Sequence, residues 1–260
     1  MGLRIKVLDL IEAMKPYLSR DPLCLMIGTE DCRFTYGWMS KKFPSISAGI
    51  KGAQNDLCDL KTAFSALGFK AVLTVDMNER ADVRADLTST VPESHLGKAD
   101  LVCELGTLEH IFDVKSAIIN MNRFLKRGGL IFHMCPVSSY RHGFLNFNPA
   151  FLDSLYLGSG YELVFRTMNV TIYNPLYVIN IEDIPRPART AFSAMNRLFQ
   201  LLRIHAVNFN LPLQRDMKGS RFWRSAEFCM THLGPPKHTY YCCAYRKTGE
   251  GLKVPYDIWE

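Results

Sequence analysis

The sequence has no long apolar run, no C-x-x-C cysteine pair and nothing that resembles a leader peptide. No stretch approaches the roughly 18 apolar residues that a membrane span needs. None of the eight cysteines forms a C-x-x-C pair, so zinc ribbons and dithiol redox motifs are unsupported. Residues 1–14 carry charges within their apolar pattern, which indicates an amphipathic helix instead of a signal peptide. We therefore expect a soluble, cytoplasmic protein whose cysteines are small buried hydrophobes in a reducing compartment.

The composition is that of a globular protein, without repeats or low-complexity tracts. Of the 260 residues, 48% are apolar and 22% are charged. This balance can bury a sizeable core, and it excludes intrinsic disorder, collagen and coiled coil. The chain is long for one minimal domain and short for two, so we expect one domain with an elaboration.

Positive charge is concentrated in one late segment. The chain carries 31 Lys and Arg residues against 25 Asp and Glu residues, a net charge of +6. Residues 186–224 hold eight basic residues and one acidic residue, so this segment has a net charge of +7 and the rest of the chain −1. The overall charge is low for a nucleic-acid-binding protein, and the segment interleaves few aromatic residues.

Apolar runs and helix signals alternate along the chain. The run LCLMI at 23–27, which ends at Gly28, is typical of a fully buried parallel strand. Further strands are predicted at 70–75, 80–87, 100–103, 130–135, 161–166 and 239–245. Helices are predicted after the N-caps Asn55 and Asp113, and after Asn148, which precedes a proline. Because alternating strands and helices form βαβ units, we predict an α/β fold with a doubly wound, mostly parallel, seven-stranded sheet.

The predicted domain organisation is a core with one large insertion. Residues 1–21 form an N-terminal helix, and residues 22–173 together with 238–248 form the core. Residues 174–237 are too long for a hairpin loop, so they are predicted to form a basic helical cap, or substrate lid, inserted before the last strand. Its main helix is expected from Pro187 to about Arg203. Residues 249–260 are a C-terminal tail.

The residues that follow the predicted strands are candidates for ligand binding. In an open α/β sheet, ligands bind beyond the carboxyl ends of the strands, near the reversal of strand order. Gly28 lets the backbone approach a ligand, Asp76 is placed to accept hydrogen bonds from ribose hydroxyls, and Asp86 is placed to hold an adenine amino group. Taken one at a time, each is equally consistent with a turn glycine or a solvated aspartate.

Two stretches together resemble a known enzyme family. The stretches ADLVCELGTLEHIFD at 99–113 and NRFLKRGGLIF at 122–132 resemble class I S-adenosylmethionine-dependent methyltransferases. The resemblance covers about residues 22–170 and the last strand. A narrower likeness, in GTLEH at 106–110 and HGF at 142–144, is to a bacterial methyltransferase-like subgroup often associated with surface-polysaccharide or secondary metabolism.

The resemblance implies a Rossmann-like methyltransferase fold that uses S-adenosylmethionine and releases S-adenosylhomocysteine. The usual glycine-rich loop is reduced to Gly28, and an aromatic-rich insert at 33–53 either walls the cofactor pocket or packs as a second helix. The residues on which cofactor contacts are expected are Gly28, Thr29, Asp76, Met77, Asp86, Leu87, Glu104, Leu105 and Gly106.

Histidines are the predicted acid–base residues. Methyl transfer is an in-line displacement, so the enzyme aligns donor and acceptor and, for an O–H or N–H acceptor, removes a proton. We expect His142 to be the base, with His110 second, whereas His133 lies within a strand and is predicted to be a core histidine. No metal is expected, because Glu104, Glu109 and Asp113 do not make a convincing octahedral set.

The acceptor is predicted to be an anionic small molecule, such as a phosphorylated or nucleotide-linked sugar, a glycan precursor or a secondary-metabolite precursor. The expected substrate-binding residues are Tyr140, Arg141, Arg186, Arg189 and Arg197. The last three lie on one side of the predicted cap helix, as an anion clamp or as a merely solvated basic face. The alternative functions are an RNA methyltransferase and a non-catalytic relative of the fold. Nucleic acid is disfavoured as a partner, and a homodimer is left open.

Overall fold

The structure is a computed structural model, and it describes residues 2–44, 54–139, 142–173, 206–212, 238–249 and 251–252. Most of the predicted cap at 174–237 and of the predicted tail at 249–260 lies outside these residues. No helix in the described ranges is both long enough and apolar enough to cross a membrane. The seven cysteines in these ranges are all buried, as predicted.

Ten strands and five helices are assigned in the described residues. In chain order they are β1 (Gly2–Leu3), α1 (Ile5–Met14), β2 (Leu23–Ile27), β3 (Asp31–Cys32), α2 (Tyr36–Lys42), α3 (Leu60–Ala66), β4 (Ala71–Asp76), β5 (Val83–Arg84), β6 (Ala99–Glu104), α4 (Val114–Phe124), β7 (Leu125–Ser139), α5 (Pro149–Gly158), β8 (Glu162–Tyr173), β9 (Ala206–Pro212) and β10 (His238–Arg246). Short 3-10 helices lie at Lys15–Tyr17, Glu93–His95 and Leu108–His110.

The main sheet has the strand order β5-β4-β2-β6-β7-β10-β8-β9. The five strands from β5 to β7 in this order pair in parallel, and β10 runs antiparallel to its neighbours β7 and β8. Strand β2 lies between β4 and β6, so the order reverses there, which is where a doubly wound sheet opens a crevice for ligands. The seven strands from β5 to β8 confirm the predicted doubly wound, mostly parallel, seven-stranded sheet.

Strand β9 is an addition that the sequence prediction did not contain. Residues 206–212 were predicted to belong to the helical cap, but they form an edge strand antiparallel to β8, with Tyr173 opposite Ala206 and Thr167 opposite Pro212. The sequence AVNFNLP alternates apolar and polar residues, a period typical of strands. The predicted cap helix from Pro187 to about Arg203 lies outside the described residues.

Two apolar layers cover the two faces of the sheet. In β2, Cys24 and Met26 belong to one layer and Leu25 and Ile27 to the other, and all four are fully buried. Helices α1 and α3 contribute to the first layer, and α4 and α5 to the second. Because close-packed interiors deform little, these layers hold the central strands, and therefore the loops at their carboxyl ends, in fixed positions.

Local caps explain where the helices begin, and one cap differs from the prediction. Helix α4 begins after Asp113, whose carboxylate accepts from the Ser116 N–H at 3.1 Å, as predicted. Helix α3 begins after Asp59 and not near Asn55, because Asp59 caps the Thr62 N–H at 2.9 Å. The predicted insert at 33–53 contains helix α2, which confirms the second-helix alternative for its described part.

Candidate functional site

The loops that follow β2, β4, β6 and β7 meet along the carboxyl edge of the sheet. Gly28 follows β2, Asp76 ends β4 and Glu104 ends β6, so all three lie at the reversal of strand order. These are the positions at which the sequence predicted cofactor contacts. The hydrogen bonds among the loops determine what each residue can offer to a ligand.

Gly28 lets the end of β2 pass close to the loop after β6. Its backbone φ of 89° lies in the left-handed region that favours glycine. A Cβ atom at this position would lie 2.7 Å from Thr107 Oγ1. The Thr107 hydroxyl in turn donates to the Ile27 carbonyl at 3.1 Å. The protein's own packing therefore requires glycine here, whether or not a ligand is bound.

The half-buried Asp76 carboxylate joins the loops after β2 and β4. Its Oδ2 accepts from the Thr29 backbone N–H at 3.0 Å and from the Thr29 hydroxyl at 3.3 Å. Its Oδ1 accepts from the Asn78 N–H at 3.2 Å. Since a carboxylate accepts about four hydrogen bonds, one position remains for a ligand, and a second becomes available if the long bond from the Thr29 hydroxyl is given up.

Three further predicted cofactor contacts differ in what they offer. Met77 is 62% exposed, next to Asp76. The Asp86 carboxylate accepts from the backbone N–H and the hydroxyl of Thr88, both at 2.8 Å, and these bonds lower the pKa of Asp86. Leu87 is buried, and its carbonyl accepts from the Asn120 side chain at 2.9 Å. Met77 is thus open to a ligand, whereas Asp86 and Leu87 already shape a turn.

Glu104 is completely buried and shapes the loop after β6. Its Oε1 accepts from the backbone N–H groups of residues 106–108 at 2.7, 2.6 and 3.2 Å. Its Oε2 lies 3.2 Å from His133 Nδ1 and accepts from the Cys135 thiol at 3.4 Å. Although burial opposes it, the bonds from His133 and the loop lower the pKa of Glu104. Cofactor contact by Glu104 and by the equally buried Leu105 stays a prediction; the structure shows both residues supporting the loop.

His133 is a core histidine, as predicted. Its Nε2 lies 2.7 Å from the Tyr156 hydroxyl, which also accepts from the Asn122 side-chain amide at 3.2 Å. The Asn122 carbonyl oxygen accepts from the Tyr161 hydroxyl at 2.9 Å. These side chains are all buried. The imidazole is therefore enclosed in a polar network beneath the sheet edge and is not exposed to an acceptor.

The two predicted catalytic histidines meet at the rim, together with Glu109. The imidazole rings of His110 and His142 have centroids 4.9 Å apart and lie almost perpendicular, at 89°. Glu109 Oε1 lies 3.4 Å from His142 Nε2. His110 is exposed and the His142 side chain is 30% exposed. We call Glu109, His110 and His142 the rim triad.

Glu109 is the member of the rim triad to which the sequence analysis gave no catalytic or binding role. Its side chain is fully buried, and neither of its carboxylate oxygens has a hydrogen-bond partner within the described residues. Burial and the neighbouring Glu104 carboxylate raise the pKa of Glu109 to about 8. The available signal was a Glu-His pair after β6, followed by a second histidine in the loop after β7.

Backbone contacts hold the two loops of the rim triad together. The Glu109 carbonyl accepts from the Phe144 N–H at 2.7 Å and from the Leu145 N–H at 3.3 Å. Gly143 has a φ of 69°, and a Cβ atom there would lie 2.6 Å from Glu109 Cγ. The side chains of Phe112 and Phe144, which flank the triad in sequence, are 92% and 74% exposed. The rim therefore combines a polar triad with exposed aromatic rings.

The predicted substrate-binding residues are not among those described. Tyr140 and Arg141 precede His142, and Arg186, Arg189 and Arg197 belong to the predicted cap helix. Their roles stay predictions.

Solved structures with partial similarity include methyltransferases. The YcgJ protein of Bacillus subtilis is 12% identical with a TM-score of 0.46, covering 94% of this chain and 98% of that one. An S-adenosylmethionine-dependent methyltransferase of Archaeoglobus fulgidus is 14% identical with a TM-score of 0.40, covering 92% and 94%. One from Geobacter sulfurreducens, in complex with S-adenosylhomocysteine, is 16% identical with a TM-score of 0.38, covering 93% and 90%. The fold of this chain is established by its own strand order.

No protein-family model matches the sequence, and a search of curated proteins finds no similar sequence.

Proposed function

We propose that this chain is an S-adenosylmethionine-dependent methyltransferase. The observation that supports it most is the Asp76 carboxylate, which ends β4 beside Gly28 and keeps an acceptor position available. In doubly wound sheets an acidic side chain at this place accepts hydrogen bonds from ribose hydroxyls. The strand order sets Asp76 directly beside the reversal point.

The residues at the carboxyl edge fit an adenosyl donor. Asp76 would hold the ribose, and the exposed Met77 would lie against the adenine. The Asp86 Oδ2 would accept a hydrogen bond from the adenine amino group, since the bonds from Thr88 go to Oδ1. The backbone at Gly28 and Gly106 would lie near the amino-acid part of the donor. When bound, the cofactor supplies a methyl group on a sulfonium, which an acceptor takes by in-line displacement.

Proton removal from the acceptor is assigned to the rim histidines. His142 is the first candidate for the base, because it is half-buried in the loop after β7, on the edge where the donor would bind. His110 is the second candidate, on the facing loop. An imidazole is the side chain best suited to take a proton near neutral pH.

The acceptor is assigned as an anionic small molecule, a phosphorylated or nucleotide-linked sugar or a glycan or secondary-metabolite precursor. Its support is the sequence alone: Tyr140 and Arg141 beside His142, and Arg186, Arg189 and Arg197 in the basic segment. Arginine's planar fork suits phosphate and carboxylate groups. The buried cysteines suit a reducing compartment such as the cytoplasm.

The second candidate function is RNA methylation, which the basic segment at 186–224 favours. Fluorescence anisotropy with single-stranded RNA separates the two. For a small-molecule enzyme we expect only weak binding at physiological salt. Tight binding that falls steeply with salt, and that is lost when the three cap arginines are changed to glutamine, would favour RNA.

Isothermal titration calorimetry with S-adenosylhomocysteine tests the proposal. We expect micromolar binding to the wild-type protein, weakened in Asp76→Ala by about 1.5–3 kcal/mol, the scale for lost bonds to a charged group. Glu79→Ala, an exposed acidic residue in the same loop, is the matched control and should bind normally. Absence of binding to the wild type would leave a non-catalytic relative of the fold, and unchanged affinity in Asp76→Ala would remove the ribose assignment.

A further inference from the structure

We propose that the rim triad of Glu109, His110 and His142 binds a divalent transition-metal cation. The inference goes beyond the proposed function, because an ion can bind there without a methyl donor. One ligand-type atom from each of the three residues lies within 4.8 Å of the other two. The three side chains come from two loops at the carboxyl edge of the sheet, where an acceptor would enter.

The ligand types select the kind of cation. Two imidazoles and one carboxylate form the set that catalytic zinc sites use, with a fourth position left open. The same set also suits iron in the two-histidine, one-carboxylate arrangement. Mg²⁺ and Ca²⁺ prefer oxygen ligands. We therefore expect binding of Zn²⁺ and chemically similar ions in preference to Mg²⁺.

The spacing of the best-defined pair fits a shared ion. Glu109 Oε1 and His142 Nε2 are 3.4 Å apart. A tetrahedral zinc ion with bonds of about 2.1 Å holds neighbouring ligand atoms about 3.4 Å apart. These two ligands therefore need almost no movement to share an ion. The exposed His110 side chain, whose ring stands 4.9 Å from that of His142, is free to rotate into the third position because the protein does not enclose it.

The state of the Glu109 carboxylate is a second, independent observation that points to a cation ligand. Its carboxylate is fully buried, and both oxygens lack hydrogen-bond partners within the described residues. Buried carboxylates are normally paired, hydrogen-bonded or bound to metal, because an isolated buried charge is very costly. An ion between Glu109 and the two imidazoles would meet that requirement.

The fold holds the two ligand-bearing loops at a fixed distance. The Glu109 carbonyl accepts hydrogen bonds from two backbone N–H groups of the loop that carries His142, and Gly143 packs directly on the Glu109 side chain. Such support keeps ligands in place before the ion arrives, which is the arrangement that favours tight binding.

The sequence predicted no metal because it grouped Glu109 with two carboxylates that have other roles in the structure. That prediction considered Glu104, Glu109 and Asp113 together. The Glu104 carboxylate is engaged by its own loop, and that of Asp113 caps α4. A second cluster, Glu104, His133 and Cys135, has metal-ligand spacing but is completely buried, with its Glu and His already hydrogen-bonded. The rim triad alone combines ligand spacing with access from outside among the described residues.

An ion at the rim would change how the histidines act in the proposed methyl transfer. A metal with an open position lowers the pKa of a bound hydroxyl. His142 and His110 would then serve as ligands of the ion and not as free bases, and the proton of the bound acceptor hydroxyl would pass to solvent water. This consequence rests on the proposed function, whereas ion binding itself does not.

Calorimetric titration of chelator-treated, full-length protein with Zn²⁺ tests the site. We expect one saturable site per chain, with Mg²⁺ giving no comparable binding. Glu109→Gln and His142→Ala should each weaken Zn²⁺ binding by about a hundredfold, since even outer-shell changes cost about 10–100-fold. His95→Ala is the matched control: His95 precedes β6, so it lies at the opposite edge of the sheet and should have no effect.

Two further measurements keep the test decisive. His110→Ala changes an exposed side chain, so it should fold even if Glu109→Gln does not, and it should also weaken Zn²⁺ binding. A Co²⁺ absorption spectrum without the intense near-ultraviolet band of thiolate ligands would exclude binding at cysteines. Absence of a saturable site, or a site that none of the three substitutions weakens, would overturn the proposal. Titration of the same preparations with S-adenosylhomocysteine reports on the methyltransferase assignment separately.

Discussion

Thr107 occupies the space that any side chain at residue 28 would need. The Thr107 hydroxyl oxygen lies 2.7 Å from the position of a Cβ atom on Gly28, and the same hydroxyl is bonded to the Ile27 carbonyl. The loop after β6 is therefore pressed against the end of β2, at the point where the strand order reverses. This contact fixes how closely the loops after β2 and β6 approach each other.

Gly28→Ala is expected to lower the free energy of unfolding by about 1–3 kcal/mol, because alanine is strained at a φ of 89° and its methyl group meets Thr107. Thr107→Ala removes the clashing hydroxyl but not the backbone strain. In a urea-unfolding double-mutant cycle, the double variant should therefore lose less stability than the two single variants added together. If the two losses of unfolding free energy were strictly additive, the contact with Thr107 would not be the cause of the destabilisation by Gly28→Ala.

Tyr156→Phe is expected to destabilise the protein by about 1–3 kcal/mol, the cost of leaving buried polar partners unsatisfied. The lost hydroxyl bridges His133 Nε2 and the Asn122 amide, and both of these groups are buried. Tyr17→Phe, at an exposed ring, is the control and should change thermal unfolding little. Equal stability of the two variants would mean that the buried network contributes nothing.

Asp100 should make the free energy of unfolding depend on pH in the acidic range. Although burial opposes it, hydrogen bonds from the Leu23 N–H, Lys126 and Ser19 lower the pKa of Asp100. A lowered folded pKa means that the stabilisation is fully present above the unfolded pKa of about 3.9 and is lost as pH falls through the folded pKa. Asp100→Asn should cost about 1.5–3 kcal/mol at pH 7.

The check on Asp100 is a pair of urea-unfolding series between pH 7 and pH 2.5. The difference in unfolding free energy between wild type and Asp100→Asn should shrink as the pH falls below 4. A difference that stays constant across the range would show that the charge of Asp100 is not what stabilises the fold.

His142→Ala is expected to lower methyl transfer about a hundredfold or more while leaving S-adenosylhomocysteine affinity unchanged. The reason is that His142 lies at the rim, where it would act on the acceptor and not on the donor. The assay follows formation of S-adenosylhomocysteine with a panel of phosphorylated and nucleotide-linked sugars. Near-normal turnover in the variant would move the role to His110 or show that no protein base is needed.

The sequence by itself determined the features that depend on neighbouring residues. The all-apolar run at Leu23–Ile27 predicted a strand buried on both faces, and Asp113 and Asn148 predicted the starts of α4 and α5. Caps and short periodicities are local interactions, so they can be read along the chain. Where two equally good caps lie close together, as at Asn55 and Asp59, the local signal cannot choose between them.

Only the tertiary structure decided which partners the side chains at the strand ends contact. Glu104 and Glu109 belong to the same sequence motif, yet Glu104 turns into its own loop and the His133 network, whereas Glu109 meets His142 from the loop after β7. The edge strand β9 was likewise decided by pairing with β8, a partner distant in sequence. These outcomes depend on how loops from different strands pack together at the sheet edge, and residue order along the chain does not encode that packing locally.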